Sequence, residues 1–309
     1  MRLLATSADL MLCCQDNKDL SCSINFYVVN LLTKQWITLP PAPPGLLVDS
    51  TVTGFICKPH YKSNTSINSR FRIVRIPDEN RKTPSFEVKI QVFSSEKCEW
   101  KRFNVTSPCM LKHRGFRQIL VYKGLLHSLN GDGIFVYDPF CGPQRFSRVI
   151  DLPAKLSDTD CYGVSEGHLC VARLTGKRDP DRRKYPSVSV WELVNYNMGR
   201  WCLRHKIYLR HLSFIGTSLE INYWNIRSLN CHVRILTFHP ADGNILYLAV
   251  GFHTIRCDMK KEVVLDCTKE DPHILWTMSL LPSFELVITR SGPTPLPLLP
   301  HFSEPDMQE

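Results

Sequence analysis

Four arrangements in this chain use residue types that could do chemistry. "GVSEG" at 163–167 has the Gly-x-Ser-x-Gly spacing of a nucleophile elbow, in which a strand-to-helix turn lifts a serine clear of the backbone. Ser165 is followed by "GHLCVARL", which reads as a strand, so the expectation is a turn between blades and not a hydrolase. Asp158 and Asp160 in "SDTDC" could meet a cation. A calcium loop, however, needs more oxygen ligands and a glycine at a fixed offset, which leaves a capping or turn role. The eleven histidines include no His-x-x-x-His or His-Glu-x-x-His pair, so His113, His127 and His168 are expected as surface or strand residues. The sequence has no Gly-x-x-x-x-Gly-Lys-Ser/Thr phosphate loop. No residue is assigned a catalytic, cofactor-binding or metal-ligating role, and neither a cofactor nor enzyme activity is expected.

The fourth arrangement is basic. "GKRDPDRRK" at 176–184 offers Lys177, Arg178, Arg182, Arg183 and Lys184 to an acidic protein surface. It could also be a nuclear-localisation patch, or a solvated loop, since Asp179 and Asp181 interrupt it and Gly176, Pro180 and Pro186 punctuate it. Elsewhere the Lys and Arg behind the net charge of +9 are scattered, so a nucleic-acid partner is not expected. Thirteen cysteines without a Cys-x-x-Cys pair fit neither a small disulfide scaffold nor a zinc ribbon. Cys57, Cys170 and Cys202 sit in apolar runs, where a free thiol packs as a small hydrophobe, so a reducing, cytoplasmic or nuclear setting is expected. The N-terminal run is broken by Thr6, Ser7 and Asp9 and does not read as a signal peptide. No segment approaches the ~18 uninterrupted apolar residues of a membrane span, and no membrane partner is expected.

Residues so dispersed need a scaffold, and its signal is a recurring hairpin. In "YVVNLLTKQWITLPPAPP" at 27–44 a strand end, Val29, is followed seven positions later by Trp36 across a polar turn. The same interval joins Phe93 to Trp100, Phe238 to Ile245 and Cys257 to Val264, with looser copies from Tyr137 to Phe146 and Trp191 to Trp201. Short apolar strands precede most copies: "DLMLCC" at 9–14, "GLLHSL" at 124–129 and "GHLCVARL" at 167–174. "FEVKIQVF" sets Phe86, Val88, Ile90 and Val92 against Glu87, Lys89 and Gln91, the period of a half-buried strand. Helical periodicity is poor; the best candidate, "CMLKHRGFRQIL" at 109–120, reads equally as a loop leading into a strand. The expected fold is all-β, a β-propeller of about six four-stranded blades, with stacked β-sandwiches as the alternative. Trp36, Trp100 and Trp201 would be wedges buried between blades. "PPAPP" at 40–44 would be a rigid connector between blades, or else a polyproline ligand for another domain.

"FYVVNLLTKQWITLPPAPP" resembles the phrase Y-v-x-N-P-x-T-k-x-W-x-x-L-P-x-P-P of the F-box-associated β-propeller region in plant F-box proteins, a kelch-like fold. "SADLMLCC" is similar to that family's opening strand and "GLLHSLNGDGIFVYDP" to its G-x-l-Y-x-l…i-x-a-y-D phrase. "VSVWEL", "GRWCLRHKIYL", "FHPADGNILYL" and "IRCDMKKEVV" follow in the family's order. Leu31 stands where the family has Pro and Asp9 where it has Gly, which leads us to expect some distortion of the first blade. The resemblance implies a single propeller domain over 1–309, with 291–309 an extended or disordered tail. It also implies a non-catalytic module that recognises a protein substrate for an SCF-type ubiquitin ligase. A propeller enzyme or small-ligand binder using the central channel is the alternative. Because Met1 lies just before the first expected strand, the F-box is expected to be missing from this chain. A Skp-type adaptor would then be a partner only if the full gene product carries one.

Overall fold

The computed structural model describes residues 2–15, 24–44, 51–63, 66–77, 85–111, 116–131, 133–141, 146–155, 160–175, 186–214, 233–251 and 253–269. The described residues form two compact units, one within 1–150 and the other within 151–283.

In the first unit the strands form three sheets, each a meander in chain order. Sheet 1 is β1 (Arg2–Ser7), β2 (Leu10–Gln15), β3 (Asn25–Asn30) and β4 (Gln35–Thr38). Sheet 2 is β5 (Thr51–Ser63), β6 (Ser66–Pro77), β7 (Ser85–Ser94) and β8 (Glu99–Leu111). Sheet 3 is β9 (Phe116–Tyr122), β10 (Leu125–Asn130), β11 (Gly133–Tyr137) and β12 (Arg148–Asp151). Facing sheets share their cores. Leu12, Phe26 and Val28 of sheet 1 pack with Phe55, Phe71 and Phe93 of sheet 2. The other face of sheet 2, with Val74, Val88 and Ile90, packs with Phe116, Leu126 and Phe135 of sheet 3.

The second unit holds sheet 4, with β13 (Cys161–Ser165), β14 (His168–Thr175), β15 (Ser187–Asn195) and β16 (Arg200–Tyr208). After a 3-10 turn at Leu209–His211, the short β17 (Ser213–Phe214) runs parallel to β21 on the edge of sheet 5. Sheet 5 is otherwise the meander β18 (Val233–Phe238), β19 (Ile245–Val250), β20 (His253–Asp258) and β21 (Val263–Lys269). Ala172, Val188 and Val190 pack on Val233, Leu248 and Ile255 in one core.

Five sheets, not about six, are built from the described residues. The excess came from sheet 5, because both Phe238–Ile245 and Cys257–Val264 belong to it. The first spans the turn between β18 and β19, and only the second spans an outer hairpin like Val29–Trp36. The seven-residue interval has a definite cause in the outer hairpins. Val29 pairs with Trp36, Phe93 with Trp100 and Cys257 with Val264. Between each pair lie one residue on each strand and a four-residue turn. The last turn residue, Lys34, Cys98 or Glu262, takes a positive φ that closes the turn. In sheets 1, 3, 4 and 5 an Asn or Asp at or just past the end of the third strand holds the turn's free N–H groups. Asn30 Oδ1 accepts from Leu32 and Thr33, and Asp258 Oδ1 from Lys260 and Lys261. Asp138 Oδ1 accepts from Phe140, and Asn195 Oδ1 from Met198.

The expected distortion of the first blade is confined to a register shift between Leu3 and Ala5. Ala8 takes the positive φ at the first turn, and the buried Asp9 carboxylate accepts from Asn30 Nδ2 at 3.2 Å. Leu31 leaves the Asn30 turn intact. In β7 the alternation is kept at Val88, Ile90 and Val92, but Phe86 is exposed and Gln91 is buried. Gln91 goes inward because its amide joins Arg75 Nη1 to the Pro43 carbonyl. The helical candidate at 109–120 is strand on both sides, with Cys109–Leu111 in β8 and Phe116 onward in β9.

Candidate interaction surface

Lys177, Arg178, Arg182, Arg183 and Lys184 lie outside the described residues, as do Asp158 and His113. Ser165 closes β13 before a two-residue turn, Glu166–Gly167, in which both residues have positive φ and β14 runs straight back. Ser165 is 1% exposed and its hydroxyl donates to the His239 carbonyl at 2.6 Å, so it is a buried turn residue, and the turn joins two strands of sheet 4 where one between blades was expected. Asp160, just before β13, accepts from the Leu174 N–H of the neighbouring β14 at 2.7 Å. His168 is exposed and its Nδ1 lies 3.3 Å from Glu192 Oε1. His127, in β10, is fully buried against Tyr122. Its pKa falls to about 4, chiefly because burial disfavours the charged ring, with Arg148 adding to the shift while the bond to the Leu125 carbonyl opposes it. The eleven described cysteines are free. No trio of His, Cys, Asp or Glu is placed to hold a metal among the described residues.

The three tryptophans differ. Trp100 is half-buried between Phe26 and Phe93, with ring centroids 5.4 Å and 5.3 Å away, and its indole N–H donates to the Pro40 carbonyl at 2.9 Å. Trp201 is half-buried and donates to the Asp151 carbonyl at 2.8 Å. Trp36, at the same register position as Trp100, is 67% exposed and is no buried wedge. The reason is a second segment distant in sequence. Trp100 and Trp201 each have an incoming segment whose carbonyl accepts the indole N–H, and no such carbonyl meets Trp36 among the described residues. "PPAPP" is the connector that serves Trp100. With no proline N–H to satisfy, its carbonyls take side-chain donors of sheet 2, Pro43 from Gln91 and Pro44 from Arg102.

Two charged clusters form where strands end in turns. In the second unit Arg204 on β16 bridges Glu166 at 2.7 Å and Glu192 at 2.9 Å. Burial alone would lower the Arg204 pKa, but the two carboxylates outweigh it and raise it. Gly243 sits against this bridge, where a side chain would collide with the guanidinium and the Glu166 carboxylate. Around the same hairpins Val194, Met198 and Leu203 are exposed.

In the first unit the hairpin of β5 and β6 extends beyond the end of β7, and its basic residues gather on one ring. Lys58 Nζ lies 4.6 Å from the Phe140 centroid, Arg70 Cζ 4.9 Å and Arg72 Cζ 4.8 Å. Glu96, in the turn between β7 and β8, takes Arg70 on Oε1 and Arg72 on Oε2. Partial burial by itself would raise the Glu96 pKa, but the Arg72 and Arg70 bonds hold it below the usual carboxylate value. Asp138 stands 3.8 Å from Lys58. Sequence reasoning missed this cluster because its members are spread from Lys58 to Phe140. Only the alternation of Arg70 and Arg72, two residues apart, hinted at a basic strand face.

Consecutive four-stranded antiparallel meanders, each packed face to face on the next within its unit, place the protein in the β-propeller class. The surface such a fold offers consists of strand ends and turns. The chain belongs to the family described as F-box protein At3g26010-like, β-propeller, which matches over residues 1–273. Among solved structures it is similar to a putative 6-phosphogluconolactonase from Bacteroides uniformis, at 12% identity and a TM-score of 0.44, covering 85% of this chain and 68% of that one. That likeness bears on neither activity nor ligand. No curated protein matches the sequence.

Proposed function

We propose that this chain is a non-catalytic protein-binding propeller, the substrate-recognition part of an F-box protein acting in an SCF-type ubiquitin ligase pathway. The observation that carries the reading is the match to an F-box protein β-propeller family over residues 1–273. The charged and apolar groups at the hairpin ends support it, since a binding module needs partly exposed side chains held by a rigid scaffold. Ubiquitin transfer would fall to other subunits, and the setting would be cytoplasmic or nuclear. A Skp-type adaptor would bind through an F-box carried by the full gene product, not through the propeller.

The test is proximity labelling with the full chain, followed by reconstitution with each purified partner and with purified Skp-type adaptor. The expected result is saturable binding of at least one protein to the propeller and none of the adaptor. Saturable adaptor binding would refute the assigned division of labour. Failure of every labelled protein to bind directly would refute the protein-binding role.

A further inference from the structure

Lys58 and Arg70 are directly opposite each other in the β5–β6 register, and Arg72 follows two residues on, on the same face. Like charges placed opposite on one sheet face destabilise the strand pair, so three cations here are a cost that stability does not explain. Among the described residues two carboxylates serve three cations, and the Lys58–Asp138 separation of 3.8 Å is beyond hydrogen-bond reach. Phe140 attracts all three through its ring face, which holds them together without cancelling their charge.

We propose that Lys58, Arg70 and Arg72, gathered on Phe140, form a binding site for carboxylate side chains of an acidic segment in a protein partner. This assignment rests on the protein-binding reading above and gives its ligand a chemistry. Glu96 shows the ligand geometry from within, since two guanidiniums take its two oxygens, one each, as planar carboxylates are taken. The side chains of Lys58 and Arg70 are 28% and 33% exposed, open enough to be reached and covered enough for charge attraction to exceed that in bulk water, while Arg72, at 13%, adds its charge from beneath. Convergence on one ring suits one or two anionic groups. A nucleic-acid backbone would need cations spread along a stripe. Phe140 is a positioning residue that keeps the cations side by side.

The experiment titrates the full chain against a fluorescein-labelled oligoglutamate peptide by anisotropy at low salt, with oligoserine and phosphoserine peptides of equal length beside it. We expect saturable oligoglutamate binding that weakens as salt rises, and none for oligoserine. Replacing Lys58, Arg70 and Arg72 together by Met should weaken binding about tenfold or more, the scale of losing charged hydrogen bonds. Lys58→Met alone, which leaves both Arg–Glu96 pairs in place and serves if the triple variant does not fold, should weaken it about threefold, and Phe140→Leu by a similar factor. No oligoglutamate binding, an equal Kd in the Lys58→Met and triple variants, or binding of the phosphoserine peptide alone would overturn the site. Direct partner binding that survives the triple variant would remove this site as the contact while leaving the protein-binding reading in place.

Discussion

Trp100 and Trp36 occupy one register position in two sheets, yet they should respond very differently to truncation. Trp100→Ala removes a ring in contact with Phe26 and Phe93 and strips the Pro40 carbonyl of its indole donor. Emptying a fully buried aromatic site costs about 3 to 5 kcal/mol. Trp100 is only half-buried, so the lower end applies. Two aromatic contacts of about 0.5 to 1.5 kcal/mol each and one hydrogen bond of about 1 kcal/mol lead to a similar figure, about 3 kcal/mol. Trp100→Phe keeps most of the packing and loses the donor, for about 1 kcal/mol. Trp36→Ala, at a side chain 67% exposed, should stay within about 0.5 kcal/mol of the parent. Urea titrations followed by far-UV circular dichroism, with the slope checked for constancy, measure all three. Equal losses for Trp36→Ala and Trp100→Ala would refute the reasoning, since burial and the Pro40 bond would then not be what separates them.

Two further outcomes follow from the same physics. His127 is neutral when buried, with its pKa at about 4 against 6.5 in the unfolded chain, so the unfolded state binds the extra proton between those values. Its contribution to stability is therefore full above pH ~6.5 and is lost as pH falls toward ~4, by about 3 kcal/mol in all. His127→Gln should flatten the melting-temperature profile over that window relative to the parent, and parallel profiles would show that the ring titrates freely. Asp258→Ala should cost about 1 to 2 kcal/mol by releasing the N–H groups of Lys260 and Lys261, whereas Asp258→Asn should cost little, because an amide oxygen does the same work at Asn30. Equal urea midpoints for the two variants would contradict a hydrogen-bonded turn.

The local units of this protein were legible in its sequence because they are made by near neighbours. A period-two strand and a four-residue turn lie within about ten residues, and they mark the outer hairpins of sheets 1, 2 and 5, with an Asn or Asp at the strand end in sheets 1 and 5. The family phrase that contains them was readable for the same reason, as was the strand after Ser165, though pairing alone shows that the turn between them lies within one sheet and not between blades. The number of sheets was not legible, since the inner turn after Phe238 has the same spacing as an outer one and only pairing across β18 and β19 tells them apart. Spacing also could not separate Trp36 from Trp100, because exposure depends on whether another segment, here "PPAPP", reaches the ring. The basic cluster on Phe140 was equally hidden. Its residues meet only when β5 and β6 pair in register and the segment after β11 folds back over them, a juxtaposition decided by strand pairing over long sequence distances and by no local pattern.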